Sequence, residues 1–596
     1  MPQELPSVAP QVYKPDSLCP AEVLLHEFLA MARNLAAEST LDSPRPALPE
    51  QTGFTLSDFP SEVLSEVFYH VVDSQSAIGH SAAHARAVNL LHLSQVSAYF
   101  RHVAINSSSL WAMIIYIERV NVGFLEAMLA RSDPSPFDLT FVEGADLSAH
   151  DQIWSLIFAN FYRVANLHVE VAEGYNGRVL GGLLRLPAPS MSQCTIHFIG
   201  DRNVCLDDFF PRISAPFSSY SPALRRLNLS NCFISMKYSP RSLSQVSIRC
   251  IGNDAYNHSP RLQLRSLADW HRRFDCLQPL DLYDCFEECT EADTARIAAQ
   301  TPVYFPSLRL FTLRTTSTEV CREVASIIQL PATCSRNIII VFSSQRMFEM
   351  EEAATAVQAV TKFVPVQTEY AECAISMGDN RPFLRLIAAR PRSSVITLRF
   401  ALSDLKVRNW NAISVGTLLR MLSRTWGGGA PTLATNNRIL YQIWTALGGT
   451  LSAVLSSIPI LHLWINKESP AQFLLHDIFK HLRGVREIRS QTSDLWANST
   501  IHHLLTRELI PSLNKIRIPL DDATTSLAVI KGLGCFLQAR REVRTVVFRI
   551  RSSTLRRMGY AAFEEIRSVI RDVSRDFPDT VSLDWAELRG QRKAHD

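Results

Sequence analysis

The chain has 596 residues, 47% of them apolar and 20% charged, and its 60 basic side chains against 57 acidic ones leave a net charge of +3. This is globular composition, apolar enough for a large core and too apolar for an intrinsically disordered chain. The near-balance of charge argues against a dedicated phosphate-backbone binder, which carries a clustered basic surface, so no nucleic-acid partner is expected.

The N-terminus, MPQELPSVAPQVYKPDS, contains prolines and Glu4 but no apolar run, so it does not read as a secretory signal. Residues 1–50 read as a proline-rich, disordered N-terminus. They hold one amphipathic helix over Glu22–Ala37, with Leu24, Leu25, Phe28, Leu29 and Ala32 at helical spacing, and close on the linker SPRPALPE. Twelve cysteines, from Cys19 to Cys535, are scattered without a spacing framework. A chain of this length needs no covalent staples, so reduced thiols in a cytoplasmic or nuclear protein, not a secreted one, are expected.

A compact helical block is predicted at 51–112. Pro60 suits a first helical turn, where its missing N–H would be unpaired in any case, and Glu62 complements the helix dipole there. Val63, Leu64, Val67, Phe68 and Val71 form one apolar stripe. Asp73–Ala85 breaks the pattern and reads as a loop. Leu90, Leu91, Leu93, Val96, Phe100, Val103 and Ala104 make a second amphipathic helix, which Ser107–Ser109 ends before the apolar anchor Leu110-Trp111.

The run FPSEVLSEVFYHVV…LLHLSQVSAYFRHVAINSSSLW resembles the F-box. The family's pattern is matched at Pro60, Glu62, Val63, Leu64, Val67, Phe68, Leu90, Leu93, Ser94, Val96, Arg101, Leu110 and Trp111. Phe59 stands where the family usually has leucine, Ser97 where it has cysteine and Phe100 where it has tryptophan. Phe124–Phe141 looks like the helix and strand that follow the F-box in large fungal F-box families. The resemblance implies that the block docks on the Skp-family adaptor of a Skp–cullin–F-box ubiquitin ligase, and through it on cullin. The residues it assigns to that contact are Leu56, Phe59, Pro60, Glu62, Val63, Leu64, Phe68, Leu93, Val96, Phe100, Leu110 and Trp111.

From 113 to 585 short strand-like phrases recur, ahead of a tail at 586–596. The most specific phrase is Pro, Ser or Ala, Leu or Met, two free residues, apolar, free, apolar. It begins at Pro189, Pro222, Pro306 and Pro511, where composition alone gives about 0.2 matches. The copy Leu224-x-x-Leu227-x-Leu229, closed by Asn231-Cys232, is similar to the leucine-rich repeat. Looser copies begin at Leu243, Val395, Ile458 and Val543. Leu224, Leu308 and Leu513 lie 84 and 205 residues apart, near multiples of a repeat of about 28. Helices are predicted at Glu319–Gln329, Met347–Lys362, Gln472–Leu482 and Leu555–Val573. An ordinary α/β domain is the alternative, but its buried strands would be longer and richer in Val and Ile. Strand alternation sends Leu224, Leu227 and Leu229 to the core and Arg226 and Asn228 to the concave strand face. Arg226, Asn228 and Arg309 are the candidate cargo-binding residues.

Ile439–Asn466 carries no charge, yet Gln442, Gly448, Gly449, Ser456, Ser457, Pro459 and His462 interrupt it. It reads as a buried helix, a loop and the strand Ile460–Ile465 rather than a membrane span. No catalytic constellation is apparent. The stretch Trp426–Pro431 is glycine-rich but lacks the Gly-Lys-Ser/Thr of a phosphate cradle. His271, Cys276, Cys285 and Cys289 lack paired metal-ligand spacing, and the adjacent His502-His503 cannot chelate from one helix face. FEMEE at Phe348–Glu352 suits a helix start. The arginines 540, 541, 544, 549 and 551 read as a solvated face.

The expectation is an α/β repeat protein: an N-terminal helical F-box-like module followed by an irregular leucine-rich-repeat solenoid. It would be a non-enzymatic ligase subunit without metal or cofactor, recruiting an unknown protein cargo. The alternatives are a ligase-independent scaffold in which the helices cap the array, and a hydrolase with an unrecognised site.

Overall fold

The computed structural model describes residues 59–582, except for segments of which the longest are 206–216, 251–260, 288–301, 403–432, 465–477 and 497–507. The expected helix at Glu22–Ala37, the linker at 43–50, Leu56, the glycine-rich stretch, His502-His503 and the tail lie outside the described residues, as does most of Gln472–Leu482. The chain divides into two compact units. The first is Met1–Ile196 with Ala215–Leu224, and the second is His197–Ser214 with Arg225–Asp596.

The first unit opens with five helices: α1 (Ser61–Asp73), α2 (His80–Val96), α3 (Ala98–Asn106), α4 (Ser108–Met113) and α5 (Val122–Arg131). Two expectations are corrected here. Helix α2 starts at His80, so the latter part of the expected loop, from His80 to Ala85, is helical. Ala82, Ala83, Ala85 and Ala87 favour a helix even where the apolar stripe lapses. The single second helix is in fact two, because Ser97 adopts an extended backbone and its hydroxyl accepts a hydrogen bond from the Phe100 N–H at 3.1 Å, capping α3. The apolar anchor Leu110-Trp111 lies in the short helix α4, with both side chains buried.

The unit continues through β1 (Phe137–Glu143), α6 (Asp151–Asn160), β2 (Val164–Val171), α7 (Arg178–Leu183) and the first four residues of β3 (Gln193–Phe198). β1 and β2 pair in parallel, with Leu139 beside Leu167 and Phe141 beside Val169. Their alternate residues are buried, and Phe141 meets Trp154 of α6 edge-on at 4.9 Å.

The second unit is α/β, with a large, mostly parallel sheet and interspersed helices, an arrangement consistent with a leucine-rich repeat. The sheet strands run β5 (Arg226–Ser230), β7 (Gln245–Arg249), β8 (Pro279–Tyr283), β10 (Leu310–Thr315), β12 (Ser335–Phe342), β13 (Tyr370–Ser376), β14 (Phe383–Ala388), β15 (Val395–Leu402), β16 (Ile460–Trp464), β17 (Glu487–Ser490), β18 (Lys515–Leu520), β19 (Thr545–Ile550) and β20 (Val581–Ser582). Short parallel pairs are formed by β4 (Val204–Cys205) with β6 (Cys232–Phe233) and by β9 (Val303–Tyr304) with β11 (Ile328–Gln329). Helices α8 (Thr318–Ile327), α9 (Met350–Thr361), α10 (Leu433–Thr450), α11 (Ser452–Ser457), α12 (Ala523–Ala539) and α13 (Tyr560–Asp576) lie between strands. The uncharged stretch from Ile439 thus becomes α10, α11 and β16. Among the described residues no helix is long and apolar enough to cross a membrane.

Every phrase with the Pro-Ser or Pro-Ala signature leads into a strand: β3, β5, β10 and β18. Two departures from a regular array follow from chain length. Strands begin at Arg226, Gln245, Pro279, Leu310 and Ser335, so the repeat has no fixed period. The sheet order also inverts to β12-β15-β14-β13-β16, with β14 antiparallel to both neighbours. The links at 377–382 and 389–394 are hairpin-sized, and a parallel crossover needs a dozen residues or more.

Candidate protein-interaction surfaces

In the helical block, the apolar residues of the F-box pattern divide into two sets. Leu64, Phe68, Leu93, Phe100, Leu110 and Trp111 are at most 4% exposed and form the block's own core. Phe68 and Phe100 meet edge-on at 5.0 Å, so phenylalanine at position 100 fills the interior as a larger aromatic would. Trp111 donates its indole N–H to the Ala104 carbonyl at 2.8 Å, and the Arg131 guanidinium lies 4.5 Å above its ring. The second set faces outward. Pro60 and Glu62 are exposed, Val63 is 42% exposed and Val96 52%, while Phe59 is half-buried with its carbonyl accepting from the Tyr99 hydroxyl at 2.7 Å.

Several large apolar side chains of this block are exposed. Val63, Tyr69, Leu91, Val96 and Ile105 are all large apolar side chains left exposed within about one helical block. The sequence does not single out Tyr69 and Ile105, and it places Leu91 in the second apolar stripe. Leu91 and Ile105 belong to stripes whose neighbours Leu90, Leu93 and Ala104 turn inward, and a stripe wider than its core leaves residues outside. Hydrogen bonds also tie the block to the segment that leads into β1. Ser108 and Ser135 share a hydroxyl hydrogen bond at 2.7 Å, and buried Arg163 donates to the carbonyls of Leu129 and Ser135 and to the Ser132 hydroxyl.

On β5 of the second unit, the strand face opposite the core is polar. Arg226 is exposed on β5, Asn228 is half-buried beside it, and Leu227 and Leu229 are each 1% exposed on the core side. Arg309 is exposed but precedes β10 rather than lying within it. A copy of the repeat escaped the sequence reading: Leu277-x-x-Leu280-x-Leu282-x-x-Cys285 has the spacing of Leu224 to Cys232. It was invisible to the Pro-Ser/Ala search because Asp275-Cys276 precedes Leu277. The two copies behave alike. Asn231 and Asp284, each directly after its strand, both have positive φ, and each donates its N–H to a carbonyl near the end of the neighbouring strand, Arg249 of β7 and Arg314 of β10.

Charge on this face is ordered in one place. Glu372 accepts from His462 at 2.9 Å and from Arg489 at 3.3 Å, and Glu487 accepts from Arg489 at 2.7 Å and forms an ion pair with Arg517. This ladder links β13, β16, β17 and β18. Burial pushes His462 below its ordinary value against the pull of Glu372. Burial also opposes the Glu487 charge, but Arg489, Arg517 and Lys515 outweigh it and hold that carboxyl below its ordinary range.

Other buried charged groups serve the backbone. Glu143, raised by burial, accepts from the N–H groups of Val179 and Leu180 at 2.9 and 3.0 Å and so caps α7. Arg336 donates to the carbonyls of Phe363 and Pro331, and Arg540 to that of Ile510. Of the residues considered as zinc ligands, Cys276 is exposed and Cys285 buried, and His271 and Cys289 lie outside the described residues. Among the described residues no group of three or more His, Cys, Asp or Glu is placed to hold a metal ion. No protein-family model matches this chain, and neither does any curated protein.

Proposed function

We propose that the protein is a non-catalytic adaptor of a Skp–cullin–F-box ubiquitin ligase, docking on a Skp-family protein through its helical block and holding a protein cargo on the strand face of its second unit. The observation that carries this reading is the division of the F-box pattern. Its core positions build a self-contained helical interior, while Val63 and Val96 remain strongly exposed for a partner. Amphipathic helices join partners through such apolar side chains. Catalysis would then be proximity alone, the adaptor raising the local concentration of cargo at the charged conjugating enzyme.

The test is a pull-down of purified Skp-family adaptor by the intact chain and by a Val63→Glu/Val96→Glu variant. Both side chains are exposed, so the variant keeps its thermal stability while adaptor recovery falls at least tenfold. Equal recovery by the two proteins sinks the F-box reading. Deleting the block is a poorer test, because Ser108, Trp111 and their partners Ser135 and Arg131 tie it to the following strand.

One observation favours a second reading. That same continuity, reinforced by buried Arg163, suits a helical cap covering the end of a strand array, which terminal repeats require. A ligase-independent scaffold of this kind recovers no adaptor with either protein.

A further inference from the structure

Across β7, β8, β10, β12, β15 and β14, strand register places one residue from each strand side by side on the face opposite the core. Arg249 neighbours Tyr283, Tyr283 neighbours Arg314, Arg314 neighbours Ile339, Ile339 neighbours Arg399, and Arg399 neighbours Phe383. The row therefore alternates a guanidinium with an apolar side chain over six strands. Its three arginines are exposed, and its Tyr, Ile and Phe are half-buried. Arg249 lies 4.9 Å over the Tyr283 ring and Arg399 lies 6.0 Å over Phe383, so each guanidinium is steadied by its aromatic neighbour and keeps its edge for hydrogen bonds. Among the described residues neither Arg249 nor Arg399 has a carboxylate within salt-bridge distance. Arg314 has Asp284 at 3.8 Å but remains 47% exposed.

Neighbouring strands lie about 4.8 Å apart, so arginines on alternate strands stand roughly 9.5 Å apart. A polyproline-type peptide advances about 9.3 Å in three residues and returns each third side chain to the same side. The two periods match. We infer that this row binds an extended peptide segment carrying an acidic residue at every third position, its carboxylates on Arg249, Arg314 and Arg399 and its intervening side chains over Tyr283, Ile339 and Phe383. The inference rests on the cargo role proposed above and names the chemistry of that cargo. A single-stranded nucleic acid fits less well. Arginines already cover two of the ring faces on which bases would stack.

The probe is a labelled synthetic peptide of about twelve residues with glutamate at every third position and proline-rich spacing, titrated into the full chain at low salt. Its control has the same composition with the glutamates in one block. The spaced peptide is expected to bind at least tenfold tighter, and Arg249→Glu or Arg399→Glu is expected to weaken it at least tenfold without changing the melting temperature. Equal binding of the two peptides, no binding of either, or preference for an oligothymidine of equal charge overturns the inference. The peptide comparison needs no variant, so misfolding cannot mask the result. Adaptor recovery from the same preparation separates this outcome from the ligase reading: a chain that recovers adaptor but ignores the peptide refutes the row alone.

Discussion

Asn231 and Asp284 show how single residues set the path of this chain. Each follows a strand of the form apolar-x-apolar-x, each adopts positive φ, and each is followed by a buried cysteine. Only glycine, asparagine and aspartate adopt this backbone at small cost. Asn231 adds a hydrogen bond from its side-chain amide to the Phe198 carbonyl at 2.8 Å, within a buried setting. Asn231→Ala is therefore expected to lose about 2 kcal/mol, roughly half from the hydrogen bond and half from the left-handed backbone. Asn231→Gly restores the backbone freedom and recovers about 1 kcal/mol of that loss. Urea unfolding midpoints of the three proteins test the ranking, and an Ala variant no weaker than the Gly variant contradicts it. The asparagine was legible in the sequence as part of a repeat ending. The equivalent role of Asp284 was not, because its repeat lacks the preceding proline.

At the scale of elements, apolar pattern located strands well and helix ends poorly. The break at Ser97 depends on a side chain reaching a backbone N–H, and hydrophobic periodicity carries no sign of it. The ladder joining β13, β16, β17 and β18 was equally hidden, since Glu372 lies far from Arg489 in sequence and meets it only through strand order. It makes this part of the sheet sensitive to acid. His462 has a folded pKa below its ordinary 6.5, so the unfolded chain takes up a proton first, and stability falls as pH drops through that value. Glu487 has a folded pKa below its ordinary 4.5, so its contribution is complete above that value and is lost as pH falls through the lower folded one. Melting temperature measured against pH should thus decline in two stages. His462→Gln is expected to remove the stage beginning near pH 6.5 and Glu487→Gln the stage below about pH 4.5. An unchanged curve in both variants would show that the ladder contributes nothing to stability.

For the whole molecule, the cysteines divide by burial. Among the described residues, seven from Cys194 to Cys373 are buried free thiols, and Cys276 is exposed. Burial pushes Cys194, Cys250, Cys321 and Cys334 up to about 12, leaving almost no thiolate at neutral pH. A brief iodoacetamide pulse on the native protein should modify Cys276 while sparing Cys194, Cys321 and Cys373, as read by peptide mass spectrometry. In urea those three become reactive, Cys194 reporting on the first unit and Cys321 and Cys373 on the second. Native labelling of Cys194 or Cys373 as fast as Cys276 contradicts the packing described.

The sequence alone determined the local alternation: which leucines of Leu224–Leu229 face inward, where short strands begin, and that helices lie between them. These properties depend on neighbours within a few residues, where the two-residue period of a strand and the 3.6-residue period of a helix are printed directly in the side chains. Tertiary structure decided everything that depends on which strands lie together. It set the inversion at β13–β15, the Glu372–Arg489 ladder, the sorting of the apolar residues of the helical block into core and surface, and the row running from Arg249 to Phe383. Strand neighbours are chosen by the closure of chain segments and the burial of whole faces, and residues 85 or 117 positions apart, such as Arg314 and Arg399 or Glu372 and Arg489, carry no mutual signal until the sheet aligns them.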